Sequence, residues 1–309
     1  MKILEFIIIL ISLLIITLGA LLVWYNVPNL PGQSNGYNEY ELKGLSSFPD
    51  GGGQFYPNMR YKSRDITFSV SSTCDAAKKK DIERAISTIS EKTILNFQQV
   101  QEGEISILCS DINPRPEEEG HFVAGEGGPS EIINTSKYSV ILSGKVSLYR
   151  RSKECAKPNV ATHEILHSLG FDHNSNENSI MYPITNCGQD IDDYIIEEIN
   201  KLYLEDSLAD LAIEKLNASK NGRYINFEIT VGNFGLEDSA NSTLRVYANE
   251  KEIKVVPLEK IDIGTKKILT VENLRGPLSF DSLTFTIDYN EEELNKENNN
   301  VEMTLETSS

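Results

Sequence analysis

Three histidines and a glutamate lie close together in the run from His163 to His173, at a spacing that suits metal chemistry. His163 and His167 are four residues apart, so on an α-helix their imidazoles share one face and can bind one zinc ion. Glu164 follows the first histidine, which places its carboxylate beside the ion, where a general base for water is needed. Gly170 can adopt a positive φ and end the helix, so that His173 returns to the same ion. Three neutral imidazoles leave one position open, which is typical of a catalytic zinc site.

The complete pattern, His-Glu-x-x-His-x-x-Gly-x-x-His, resembles the zinc signature of the metzincin metallopeptidases. Downstream, Ser179–Pro183 resembles their Met-turn, which implies that Met181 packs beneath the three histidines without binding metal. The Met-Tyr-Pro ending is most similar to the matrixin branch. Astacin-like and serralysin-like metzincins carry a tyrosine two residues after the methionine, and here that position is Pro183, so the resemblance implies no tyrosine zinc ligand from this turn. The resemblance further implies that Tyr182 and Pro183 form one wall of the pocket for the substrate residue that follows the cleaved bond.

The resemblance implies a zinc endopeptidase in which Glu164 takes a proton from the attacking water and passes it to the leaving amine. The expected substrate is a protein or peptide, which the sequence does not identify. One alternative is a non-enzymatic adhesion protein built on an inactive peptidase scaffold, and another is a protein that cuts its own stalk. The retention of Glu164 argues against the adhesion alternative, because a structural zinc site does not need this carboxylate.

The charge and the N-terminal sequence predict where the chain resides. A formal charge of −17 without a basic stripe argues against a nucleic-acid partner. Phe6–Tyr25 is almost entirely apolar, and about twenty residues at ~1.5 Å each match a ~30 Å hydrocarbon core. Lys2 is the only basic residue before Lys43, so the positive-inside rule places the N-terminus in the cytoplasm and the rest outside. We expect residues 1–25 to be an uncleaved transmembrane signal-anchor; a cleaved signal peptide, and hence a secreted protein, is the alternative.

The four cysteines of an exported chain can form disulfides, with three alternative pairings. Position favours Cys74–Cys109, since each cysteine ends a predicted strand. It also favours Cys155–Cys187, since these cysteines flank the zinc-binding stretch. Zinc ligation by the cysteines is less favoured, because none has Cys-x-x-Cys spacing.

Two folded domains of an α+β protein are predicted after a stalk at residues 26–60, which is rich in Gly, Pro, Asn and Tyr. Residues 61–207 are the catalytic domain, for which the resemblance implies a twisted mixed sheet plus three helices. Periodicity predicts strands and helices in the order that this fold requires. The strands are Ile66–Val70, Ile105–Cys109, Glu131–Asn134 and Ser139–Tyr149, and the helices are Ile82–Phe97, a zinc helix beginning near Asn159–Thr162, and Asp190–Leu204.

Residues 208–309 change to short alternating strands separated by turn residues, which predicts a small all-β, immunoglobulin-like sandwich. Three motifs, at Asp210–Ile213, Val231–Gly235 and Asp288–Asn300, resemble the cell-adhesion-related (CARDB-like) domain of bacterial and archaeal surface proteins. That resemblance implies a cell-surface partner, and a plain accessory sandwich is the alternative. The predicted strands are Arg223–Val231, Thr243–Tyr247, Ile253–Val256, Lys267–Val271 and Leu283–Tyr289.

An acidic, glycine-rich loop holds the candidates for a structural calcium ion, Glu117–Glu119 and Glu126. An acidic run is more often a solvated surface. His121 is the only other histidine of the chain, and we interpret it as a surface residue, because the His and Asp spacing of a second zinc site is absent.

Overall fold

The computed structural model of the chain describes residues 14, 17–18, 38–41, 53–112, 114, 123–149 and 155–305. The predicted transmembrane helix at residues 1–25 therefore lies outside the described residues, apart from Leu14, Thr17 and Leu18. No helix within the described ranges is both long and apolar enough to cross a membrane.

The first folded part combines a mixed sheet with three helices, which confirms the mixed α/β architecture predicted for it. In chain order its elements are β2 (Met59–Tyr61), β3 (Asp65–Val70), α1 (Ala76–Lys92), β4 (Asn96–Gln99), β5 (Ile105–Cys109), β6 (Gly125–Asn134), β7 (Ser139–Leu148), α2 (Asn159–Ser168) and α3 (Asp193–Tyr203), and a strand β1 (Asn38–Glu41) precedes them. Strands β2, β7, β5, β3 and β4 are parallel neighbours in that order, and β6 runs antiparallel to β7.

Helix α1 begins earlier and ends earlier than its apolar spacing predicts. Asp75 caps its N-terminus by accepting hydrogen bonds from the backbone N–H groups of Ala77 and Lys78, at 2.9 and 2.7 Å. At the other end, the Thr93 hydroxyl donates to the Ile89 carbonyl at 2.8 Å and the backbone becomes extended. Phe97, predicted to be helical, instead lies in β4, which pairs with β3.

Helix α2 is buried on nearly every side, which explains why it lacks an amphipathic pattern. Ile165 and Leu166 are fully buried in the apolar core, and His163 and His167 on the same helix are buried as well. The C-terminal turn is held by Tyr61, whose hydroxyl donates to the Ser168 carbonyl at 3.0 Å. The helix that carries the zinc signature is therefore fixed by the core of the domain.

Both disulfides that the positions of the cysteines in the sequence predict are present. Cys74, just before α1, is bonded to Cys109 at the end of β5. Cys155, just before α2, is bonded to Cys187, which follows the predicted Met-turn. The second link joins the two ends of the zinc-binding stretch.

The described end of the predicted stalk is packed onto the catalytic part. Gln54 is buried and exchanges two hydrogen bonds with the backbone of Met59, at 2.7 and 3.0 Å. Met59 fills the space left by the missing side chain of Gly170, where an added Cβ would lie 2.6 Å from the Met59 Cγ. Arg60 is 1% exposed, and its guanidinium carbon lies 4.5 Å from the centre of the Tyr203 ring. Composition could not predict this packing, because it depends on partners distant in sequence.

The second part is an antiparallel sandwich of two four-stranded sheets, which confirms the predicted all-β domain. One sheet has the order β1-β8-β9-β12, so β1 from the lead-in segment joins its edge, and the other has the order β11-β10-β13-β14. Phe227 and Phe285 meet between the sheets edge to face, with ring centres 5.1 Å apart. The strands are β8 (Leu211–Asn221), β9 (Tyr224–Asn233), β10 (Ser242–Ala248), β11 (Lys251–Leu258), β12 (Lys266–Arg275), β13 (Ser282–Asp288) and β14 (Asn300–Thr304), with a 3₁₀ helix at Glu297–Asn299.

A small apolar cluster joins the two parts. Tyr138 and Val140, near the start of β7, form one buried cluster with Leu236 and Ile263 of the sandwich. Burial of these four side chains favours direct packing of the sandwich on the catalytic part, because apolar surface is removed from water on both sides.

Candidate active site

The three histidines of the signature converge on one point. The Nε2 atoms of His163 and His167 are 3.0 Å apart, and each lies 3.2 Å from the Nε2 of His173. Two nitrogens bound at ~2.05 Å to a tetrahedral zinc ion would be separated by about 3.3 Å. This triangle of ring nitrogens therefore has the size that a tetrahedral zinc ion requires.

Backbone carbonyls fix the orientation of two of the rings. The Nδ1 of His163 lies 2.5 Å from the Ile180 carbonyl oxygen, and the Nδ1 of His167 lies 2.7 Å from that of Phe171. A carbonyl oxygen only accepts, so each Nδ1 must carry the proton and each Nε2 must present a lone pair. Burial lowers the pKa of both histidines, that of His163 to about 4, which favours the neutral, metal-binding form. Hydrogen bonds of this kind usually orient the histidine ligands of a metal.

A tight turn after α2 brings the third histidine back to the first two. Gly170 has a φ of 99°, a conformation that an L-residue with a side chain rarely adopts. Its N–H donates to the His167 carbonyl at 2.9 Å, and the Phe171 N–H donates to that of Leu166 at 3.1 Å. These hydrogen bonds end the helix. His173 comes three residues after Gly170, so the chain reverses just before it.

Glu164 lies beside the histidines and is not part of the ligand group. Its side chain is 6% exposed, and burial, with a smaller contribution from Glu126, raises its pKa to about 8. A divalent cation held by the histidines would lower the pKa of Glu164 and favour its ionised form, because the cation would be the largest charge nearby. The role of Glu164 as the base that takes a proton from a water molecule stays a prediction.

The turn that carries Met181 is buried and hydrogen-bonded, and the packing of Met181 beneath the three histidines stays a prediction. Met181 is fully buried, and its N–H donates to the Ser179 hydroxyl at 3.0 Å. Ser179 is itself buried and donates to Asp192, so that α3 anchors the turn. Tyr182 is half-buried and Pro183 exposed, and their role as a pocket wall stays a prediction.

Sequence reasoning missed one aromatic residue of the site. The Phe55 ring stacks on that of His167, with centroids 5.6 Å apart and an interplanar angle of 27°. The Phe55 N–H donates to the Gly170 carbonyl at 2.9 Å, and the Asp172 N–H donates to the Gly53 carbonyl at 2.8 Å. No spacing signal links this segment to the zinc signature, because the contact depends on the chain folding back along the turn.

The predicted calcium loop is only partly described. Glu117–Glu119 and His121 lie outside the described residues. Glu126 lies on β6, where its carboxylate accepts a hydrogen bond from the Tyr149 hydroxyl at 2.6 Å. Within the described part of the chain, Glu126 belongs to no group of His, Cys, Asp and Glu side chains that could hold a metal.

The glycines of β6 let this strand lie directly against the catalytic helix. A Cβ on Gly127 would lie 2.1 Å from the Glu164 carbonyl oxygen, whereas a Cβ on Gly128 would contact nothing within 4 Å. We therefore expect Gly127→Ala to lower the free energy of unfolding by about 1–3 kcal/mol through overpacking. The substitution should also lower kcat/KM, because the added methyl group must displace either β6 or the backbone of Glu164, the predicted base.

The matched control is Gly128→Ala, which adds the same methyl group to the same strand. Thermal melting and peptide hydrolysis measured on both variants check the prediction. Equal effects of the two substitutions would show that the contact with Glu164 does not matter.

Known proteins similar to this chain include metallopeptidases, and the matching region contains the three histidines. The family model described as Matrixin matches residues 60–204, and the one described as CARDB matches residues 208–303. Stromelysin-1 of Rattus norvegicus is 28% identical over 158 residues, which are 49% of this chain and 32% of that protein. Matrix metalloproteinase-26 of Homo sapiens is 38% identical over 112 residues, which are 35% of this chain and 42% of that protein. The chain thus spans 32% and 42% of the lengths of these two curated relatives.

Among solved structures, the CARDB domain of a Pyrococcus furiosus protein, crystallised in complex with di-metal ions, is similar to the sandwich. The match is 20% identical, covers 32% of this chain and 94% of that one, and has a TM-score of 0.27.

Proposed function

Because the chain carries a matrixin domain at residues 60–204 and a CARDB domain at residues 208–303, we propose that it is a zinc-dependent endopeptidase. The observation that carries the proposal is the convergence of the three histidines next to the buried Glu164. Their Nε2 atoms lie 3.0–3.2 Å from one another. A purely structural site would need neither the open fourth position nor Glu164.

His163, His167 and His173 would hold the ion, and the carbonyls of Ile180 and Phe171 keep the first two rings oriented. When bound, zinc supplies a Lewis acid that polarises the scissile carbonyl and lowers the pKa of a water molecule toward ~7. Glu164 accepts the proton of the attacking water and passes it to the leaving amine.

Substrate recognition rests on the rim of the site. Tyr182 and Pro183 follow the buried Met181 and emerge at the surface, which suits the wall of a pocket for the residue after the cleaved bond. The substrate is a protein or peptide, in keeping with the matrixin domain.

The activity can be tested with an unstructured protein such as casein. We expect the purified chain to degrade it, a zinc chelator to stop degradation, and restored zinc to recover it. Degradation that continues at full rate after complete removal of zinc would contradict the proposal.

We further propose that residues 1–25 anchor the protein in the cell membrane with the catalytic domain outside. The apolar run Phe6–Tyr25 and the two disulfides support this proposal, since disulfides persist in oxidising compartments. Protease applied to the outside of whole cells should then release a soluble catalytic fragment. A secreted form that begins just after residue 20 would show instead that the segment is a cleaved signal peptide.

The CARDB match supports a role for the sandwich in binding a cell-surface partner. Adhesion without catalysis is the rival function, and the complete ligand set with Glu164 favours catalysis over it. Binding of the intact chain to whole cells, compared with that of a variant lacking residues 208–309, tests the adhesive role.

A further inference from the structure

The segment just before β2 is paired with the turn that carries the third histidine. Gln54 and Phe171 form an antiparallel bridge, and the Phe55 N–H donates to the Gly170 carbonyl at 2.9 Å. The carbonyl of Phe171 is also the one that accepts the Nδ1 proton of His167, at 2.7 Å. The segment is therefore attached to the same stretch of backbone that orients a candidate zinc ligand.

The catalytic part holds this segment in place on both sides of Phe55. On the C-terminal side, the buried Gln54 side chain exchanges hydrogen bonds with the backbone of Met59, at 2.7 and 3.0 Å. On the N-terminal side, Gly53 lies against Tyr194 of α3, where an added Cβ would be 3.0 Å from the tyrosine ring. Because both flanks of Phe55 are fixed, its ring has a defined position over the site.

The Phe55 ring forms the outer layer over the second histidine of the signature. It stacks on the His167 ring with centroids 5.6 Å apart and an interplanar angle of 27°. The rings of His163 and His173 are nearly perpendicular to that of His167, with angles of 88° and 78°. His167 is 6% exposed and Phe55 37%, so the phenylalanine is the stacked ring that faces water.

We propose that Phe55 is a positioning residue that slows the loss of zinc by holding His167 on the ion. This inference rests on the zinc site of the proposed function. To leave the ion, the His167 ring must give up both the stack on Phe55 and the hydrogen bond to the Phe171 carbonyl. A bound cation draws positive charge onto the imidazole, which strengthens its attraction to the face of an aromatic ring. The stack therefore stabilises the zinc-bound form more than the metal-free form.

The test is the rate at which the zinc-loaded full chain transfers its ion to an excess of a chromophoric chelator. Phe55→Leu keeps an apolar side chain but removes the ring, and we expect it to release zinc about tenfold faster than the parent. That is the lower end of the roughly 10–100-fold effect on metal affinity of removing an outer partner of a metal ligand. Phe55→Tyr keeps the ring and should release zinc at the parental rate.

The matched control is Tyr56→Leu, which removes an aromatic ring from the neighbouring residue. Tyr56 is 53% exposed, and the variant should release zinc as the parent does. Thermal melting of the metal-free proteins separates an effect on the ligand from a general loss of structure. Because Phe55 is partly exposed, metal-free Phe55→Leu should melt close to the metal-free parent.

Zinc release from Phe55→Leu at the parental rate would overturn the proposal, as would equal acceleration by Phe55→Tyr or Tyr56→Leu. A rise in KM with unchanged zinc release would assign Phe55 to substrate contact instead. A much lower melting temperature of metal-free Phe55→Leu would show that the ring holds the fold rather than the ligand. A parent that binds no zinc would contradict the proposed function itself, whereas the other outcomes leave the zinc site intact.

Discussion

Glu164→Gln is expected to lower kcat/KM for peptide hydrolysis by about 10²–10⁴-fold, the usual contribution of general acid–base catalysis. Glutamine has nearly the same shape but cannot accept the proton. Glu164 is not among the residues that could hold the metal, so zinc content should stay unchanged. The melting temperature should also stay unchanged, because the substitution removes a buried charge without opening a cavity. Steady-state kinetics, elemental analysis and thermal melting check these three expectations.

The matched control is Glu197→Gln, an equal change at an exposed position on α3. It should hydrolyse peptides as fast as the parent does. A Glu164→Gln variant that retains zinc and cleaves at the parental rate would show that another group is the base.

His167→Ala is expected to release the zinc ion and abolish hydrolysis. The substitution leaves two imidazoles, removes the ring on which Phe55 stacks, and removes the hydrogen bond to the Phe171 carbonyl. The melting temperature should fall as well, since binding energy of the ion stabilises only the folded state. Elemental analysis after dialysis should find zinc near one ion per parent chain and close to none in the variant.

His121→Ala provides the matched control, since His121 is the only histidine outside the signature. It should keep its zinc, as expected if His121 is not a ligand. Loss of the ion from this variant would assign His121 to a metal site and revise the ligand set.

The convergence of the three histidines could be predicted from the sequence, because these residues are close together in the chain. The helical spacing of His163 and His167 and the turn at Gly170 fix their geometry within one short stretch of chain. The helices and most strands also follow from periodicity, as at Ile105–Cys109, whose predicted and observed bounds agree. The exceptions include the short strands β2 and β4, where a few residues carry too little pattern. The strand β8 was also not predicted, although it has 11 residues.

Features that depend on distant partners could not be predicted. Arg60 is buried against Tyr203, and Phe55 stacks on His167, although both belong to a segment whose composition predicts a stalk. In each case the feature depends on a contact between residues distant in sequence, and such contacts cannot be predicted from hydrophobic spacing or turn residues.

The most direct test of the peptidase assignment is digestion of a diverse peptide library by the zinc-loaded parent, with new termini identified by mass spectrometry. Zinc-loaded Glu164→Gln, digested in parallel, supplies the background. The parent is predicted to cut internal peptide bonds that the variant leaves intact. A parent that holds one zinc ion per chain and cuts no peptide in the library would contradict the assignment.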